Sequence, residues 1–91
     1  MARTLKVAAR EETGSLRMKR MRQAGHVPAV LYGGGGDNVL LAVPSVELGK
    51  IIVTGDRQVQ LEGSVNGPAS IKSVQYDTFG VDVLHVDLIR A

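Results

Sequence analysis

Turn-forming residues cut this 91-residue chain into short apolar segments, and that spacing restricts its fold more than any other feature. Residues 4–10 (TLKVAAR) alternate Leu5, Val7 and Ala9 against Lys6, Ala8 and Arg10, the period-two pattern of a half-buried strand. EETG at 11–14 breaks the pattern. Residues 15–24 (SLRMKRMRQA) are helix formers, with Ser15 as a candidate cap and Gly25 as a suitable residue past the end. Leu16, Met18 and Met21 give this segment only a thin apolar side, so it reads as a short surface helix or a basic loop.

VPAVLYG at 27–33 reads as a second strand with Pro28 near its start, where a missing N–H is tolerated. The glycines at 33–36 with Asp37 and Asn38 form a turn, and NVLLAV at 38–43 returns as the partner of a hairpin. PSVELGKIIV reads as a helix capped by Ser45, with Val46, Leu48, Ile51 and Ile52 on its buried side. RQVQLEG is another strand, Asn66-Gly67 signals a hairpin turn, and PASIKSVQYD returns. After a turn at Thr78–Gly80, VDVLHVDLIR supplies the last strand, with Val83, His85 and Asp87 on one face and Leu84, Val86 and Leu88 on the core side. Six short strands with one or two helices imply a mainly β fold, an antiparallel-rich barrel or sandwich. The length allows one domain, residues 1–91, whose core must be built from Val, Leu, Ile and Ala because Tyr32, Tyr76 and Phe79 are the only aromatic residues.

Several chemistries are poorly served. There is no Cys, and His26 and His85 have no clustered carboxylates, so no metal site and no disulfide is expected. Absence of Cys fits a reducing compartment. MARTLKVAAR lacks the apolar stretch of a signal peptide, and no run approaches the ~18–20 apolar residues of a membrane span, so a cytosolic protein without a membrane partner is expected. The GGGG run lacks the lysine and hydroxyl of a phosphate-binding loop and reads as a hairpin tip. His85 and Asp87 could suggest a catalytic dyad, but no nucleophile motif accompanies them, and no catalytic residue or cofactor is expected. The pair is either a surface ion pair or hydrogen bond, or part of a polar sheet face that touches a ligand's hydrogen-bonding edges.

Charge points to function. Arg3, Lys6, Arg10, Arg17, Lys19, Arg20 and Arg22 are seven of the eleven Lys and Arg residues, so residues 1–25 carry +5 and residues 26–91 carry −3. No carboxylate is interleaved from Arg17 to Arg22, so the like charges repel along the segment and call for compensation from a partner. Nucleic acid is the favoured polyanion, with arginine forks gripping phosphates. A protein-interaction or stress-response module whose basic arm meets an acidic protein would use the same charges, and is the rival reading.

Read in order, the N-terminal strand ending in Arg10, the basic segment Gly14–Arg22, GHVPAVLYGG, VQYD and LHVDLIR resemble the bacterial large-subunit ribosomal protein number 25 family, which includes the general stress protein CTC. The likeness runs from about residue 4 to residue 90 with nearly collinear spacing, and VPAVLYGG and HVDLIR are its most specific segments. It implies a six-stranded β-barrel with short helices that binds 5S ribosomal RNA at its internal loop E and the adjoining helix. It also implies neighbouring large-subunit proteins as partners, a cytoplasmic, ribosome-associated location, and a monomer when unbound. By position, the RNA contacts would fall on Arg10, Lys19, Arg20 and Arg22, then Tyr32 at a strand end, then Gln75, His85 and Asp87 on the sheet face. Ser15 stands where the family usually has a lysine, and Arg17 is close enough to substitute. CTC-type members continue into another β-rich domain, so the chain reads as either the short single-domain form or the leading domain of a longer one.

Overall fold

The computed structural model describes residues 3–10, 15–33, 38–80 and 82–90. In chain order the elements are β1 (Arg3–Ala9), α1 (Ser15–Gln23), β2 (His26–Tyr32), β3 (Val39–Pro44), α2 (Ser45–Thr54), β4 (Gln58–Gly63), β5 (Gly67–Tyr76) and β6 (Val83–Arg90). The strands close into a barrel in the order β1-β3-β2-β6-β5-β4, with β4 returning to β1. β1–β4 and β2–β6 are parallel, and the other four pairs are antiparallel. Closure removes the exposed strand edges that so small a sheet would otherwise leave.

Alternation fills the interior with Leu5 and Val7, Val27, Ala29 and Leu31, Leu41 and Val43, Val59 and Leu61, Ala69 and Ile71, and Val86 and Leu88. α2 adds Leu48 and Ile51 to the same core and touches β1 and β3. Aliphatic side chains suffice because a six-stranded barrel has a narrow lumen. At Gly63, opposite Val7, β4 comes so close to β1 that a Cβ would collide with the Val7 carbonyl oxygen.

Several local expectations are revised. α2 is preceded by Pro44 at its cap position with no side-chain hydrogen bond, and Ser45 is already helical, its N–H donating to the Gly25 carbonyl at 2.9 Å. Val46 is 68% exposed rather than buried, because the core-facing arc of α2 is centred on Leu48 and Ile51. Ser15 likewise lies inside α1, and the residues before it lie outside the described ones, as does most of the GGGG turn. The β4–β5 connection spans Ser64–Asn66, and Asn66 closes it by bonding both the N–H and the carbonyl of Gly63.

The largest revision concerns β6. Gln75 pairs with His85 but Tyr76 pairs with Val83, which leaves Leu84 as an extra residue in a bulge. The extra residue reverses the alternation. Val83 therefore packs against the core, and half-buried Leu84 sits in the bulge instead of on the core side. A second irregularity between Ile71 and Ser73 does the same to β5, setting Lys72 apart from the ladder and bringing Val74 against the core.

Candidate nucleic-acid interface

α1 is positioned by one arginine. At the end of β1, Arg10 donates from Nε to the Leu41 carbonyl (2.8 Å) and from Nη2 to the Ala29 carbonyl (3.2 Å), while Nη1 reaches the Met18 sulfur at 3.7 Å. It thus ties β3 and β2 to the helix. Burial lowers its pKa from the ordinary guanidinium value, which lies so far above neutrality that the charge persists. α1 packs on β2, where Pro28 alternates to the outer side yet is fully buried. Arg20 and Arg22 occupy its last turn, where cations complement the helix dipole, and Gly25 follows with φ +89°.

At roughly 100° per residue, Met18 and Arg22 share the body-facing side of α1, and Arg20 lies opposite, toward solvent. Lys19 and Arg22 line a groove of about 590 Å³ with His26, the first turn of α2, Asp82 and Leu84. The cations are therefore spread around the helix. Arg22 reaches furthest inward, with Nη1 3.5 Å from the carbonyl oxygen of Leu84, the bulged residue next to His85.

From that point a polar surface runs over the outside of β6, β2 and β5. Asp87 is its centre. Its Oδ2 accepts from the Ser73 hydroxyl at 2.8 Å, its Oδ1 accepts from the Tyr32 phenol at 3.4 Å, and His85 Nδ1 lies 3.3 Å from Oδ1 outside hydrogen-bonding angle. One carboxylate thus links three strands. Burial first, then the charge of Asp87 and its hydrogen bond, raise the pKa of the Tyr32 phenol, which stays protonated as a donor. The Lys72 ammonium sits 5.3 Å from the centre of the Tyr32 ring, in cation–π range. Gln75, paired with His85, is exposed on the same face.

Of the residues singled out in the sequence, the structure gathers Arg22, Tyr32, Gln75, His85 and Asp87 on one side, with exposed Lys19 and Arg20 on the adjoining helix. Arg10 lies beneath them in a structural role. Arg17 lies on the flank of α1 away from Lys19 by the same helical geometry. Lys72 and Ser73 were missed. Their places depend on the β5 irregularity, for which SIKS offers no signal.

The family model of the Ribosomal L25p family matches residues 5–88. The chain is 44% identical over 90 residues to large ribosomal subunit protein bL25 of Rhodopirellula baltica, an alignment covering 99% of this chain and 42% of the relative. The bL25 protein of Caldanaerobacter subterraneus is 38% identical over 87 residues (91% of this chain, 44% of the relative). That of Listeria monocytogenes is 34% identical over 92 residues (98% and 44%). The chain spans less than half the length of these curated relatives. With all six strands inside or overlapping the matched range, this chain belongs to the Ribosomal L25p family.

Proposed function

We propose that residues 1–91 act as one non-enzymatic RNA-binding domain of a large-subunit ribosomal protein, in the cytoplasm, with 5S ribosomal RNA as ligand and other large-subunit proteins as neighbours. The RNA lies across α1 and the outside of β2, β6 and β5, in the region of internal loop E and the adjoining helix. Lys19, Arg20 and Arg22, with Arg17 on the flank, neutralise phosphates. Tyr32, Gln75, His85 and Asp87 meet sugar and base edges across a shallow minor groove. Arg10 acts from below, by holding the helix that carries the cations.

The observation that carries this reading is the Arg22–Leu84 contact, which makes the cationic helix continuous with the polar face at His85. The names of the curated relatives, all large ribosomal subunit proteins, support the setting. A footprint of the chain on 5S RNA tests it. Protection is expected at loop E and the adjoining helix, resisting heparin at matched salt. Reversing both Arg20 and Arg22 to Glu should reduce affinity at least about tenfold, and Arg20→Glu alone, at the exposed position, should weaken binding while stability stays within about 1 kcal/mol. Full affinity of that variant at moderate salt, or equal competition by an acidic peptide, refutes the assignment.

A further inference from the structure

The irregularity in β5 places a further cation beside the polar face. Exposed Lys72 holds its ammonium 5.3 Å from the centre of the Tyr32 ring, and Tyr32 and the neighbouring Ser73 both bond Asp87. Arg22 meets the same face at Leu84, three residues earlier in β6, about 10 Å away at ~3.3 Å per residue. The row from Leu84 to Asp87 thus has a cation of α1 at one end and Lys72 at the other. Beyond Lys72 lies a groove of about 480 Å³, lined also by Ile52, Asp56, Arg57, Ser73 and Tyr76. Arg57 is fixed next to Lys72 by the chain itself. Its carbonyl accepts from the Ile71 N–H at 2.6 Å, and its Nη1 donates to the Ile71 carbonyl at 3.5 Å. Asp56 is the carboxylate of this lining, and Arg3 lies 3.9 Å from it. Among the described residues, no carboxylate pairs with Lys72 or Arg57.

A duplex held across its shallow minor groove presents phosphates on both sides of the edges being read. In the reading above, α1 neutralises one row, and Tyr32, Gln75, His85 and Asp87 face the groove floor. We infer that Lys72 and Arg57 grip phosphates of the opposite strand, so that the two groups of cations straddle the minor groove. The occupant follows from continuity and charge. Lys72 and Ser73 belong to both the polar face and this groove, so a ligand lying on the face reaches the groove without a gap. Two cations against one carboxylate, which Arg3 also faces, leave the groove cationic. Arginine's planar fork and lysine's point charge both suit phosphate oxygens. The inference rests on the RNA reading and adds which strand of the duplex the β5 end holds.

Hydroxyl-radical footprinting of the full chain on 5S RNA, with affinities measured across a salt series, tests it. Replacing both Lys72 and Arg57 with Gln should weaken binding about tenfold or more. It should also flatten the log–log salt dependence by about 1.4–1.8 units, near 0.7–0.9 for each phosphate released. Ribose protection should disappear on one strand, whereas Arg20→Glu should remove it on the other. If the double variant melts early, Lys72→Gln alone, at an exposed position off the ladder, carries the test with a flattening of about 0.7–0.9 units, and Lys72→Arg should restore the slope. Unaltered affinity and slope in a folded variant, protection lost on the same strand as in Arg20→Glu, or lost binding of polyglutamate with RNA affinity intact overturns the proposal. Failure of the unsubstituted chain to bind 5S RNA would instead overturn the RNA reading, and this proposal with it.

Discussion

Tyr32 is a side chain whose chemistry the fold alters directly. The Tyr32 phenol is raised by burial first and by Asp87 second, so its folded-state pKa lies above the unfolded value. Its contribution to stability is complete below the ordinary tyrosine value of about 10 and is lost as pH rises through the folded value. In a Tyr76→Phe background, phenolate absorbance should show Tyr32 titrating above the ordinary value. Asp87→Asn should bring it part of the way down, with burial holding the rest, and an unmoved midpoint would mean that Asp87 has no influence. A backbone position offers a second test. Gly63 (φ +130°) and Gly67 (φ +129°) adopt similar backbone angles, but only at Gly63 would a Cβ meet the Val7 carbonyl. Gly63→Ala should lose about 2 kcal/mol or more in denaturant titration, and clearly more than Gly67→Ala, which adds strain without collision. Equal losses would show that the clash with Val7 is easily relieved.

At the scale of elements, α1 is a surface helix held at one side. Its apolar residues are few, and Arg10 supplies what they lack by bonding carbonyls of β2 and β3 and reaching Met18. Arg10→Ala would remove its hydrogen bonds to two strand carbonyls, at a cost of about 1–3 kcal/mol. Amide exchange should quicken across residues 18–24 far more than in the core strands. Unchanged exchange in α1 would mean that its packing on β2 is sufficient without the arginine. The bulge in β6 and the irregularity in β5 work differently. Each reverses the alternation of its strand, so Val83 and Val74 turn to the core while Leu84 is left in the bulge to meet Arg22 and Lys72 leaves the ladder to stand over Tyr32.

For the molecule as a whole, the cations crowded near the start of the sequence are set against the barrel rather than apart from it. The cationic helix borders the polar face of β2, β6 and β5, and Asp82 of the β5–β6 turn shares a groove with Lys19 and Arg22. If phosphates occupy Arg20 and Arg22, RNA affinity should fall steeply with salt. The double reversal to Glu should then flatten the log–log dependence by about 1.4–1.8 units, near 0.7–0.9 for each phosphate no longer neutralised. A salt dependence identical to that of the unsubstituted chain would place the phosphates elsewhere.

Much of this was legible from local pattern. Alternation such as Leu5-Val7 and Val86-Leu88, together with turn signals at Asn66-Gly67 and Thr78–Gly80, is enough to define six strands, because strand periodicity and turn chemistry are properties of adjacent residues. The crowding of cations before residue 23, and the pairing of His85 with Asp87 on one face, are equally local. Tertiary structure decided what depends on residues far apart in the chain. That includes the inward use of Arg10, the bulge that exchanges Val83 for Leu84, the exposure of Val46, and the meeting of Tyr32, Ser73 and His85 at one carboxylate. A bulge forms where two strands must keep register around a closed barrel, and a guanidinium turns inward where distant carbonyls converge. Neither condition exists until the barrel closes.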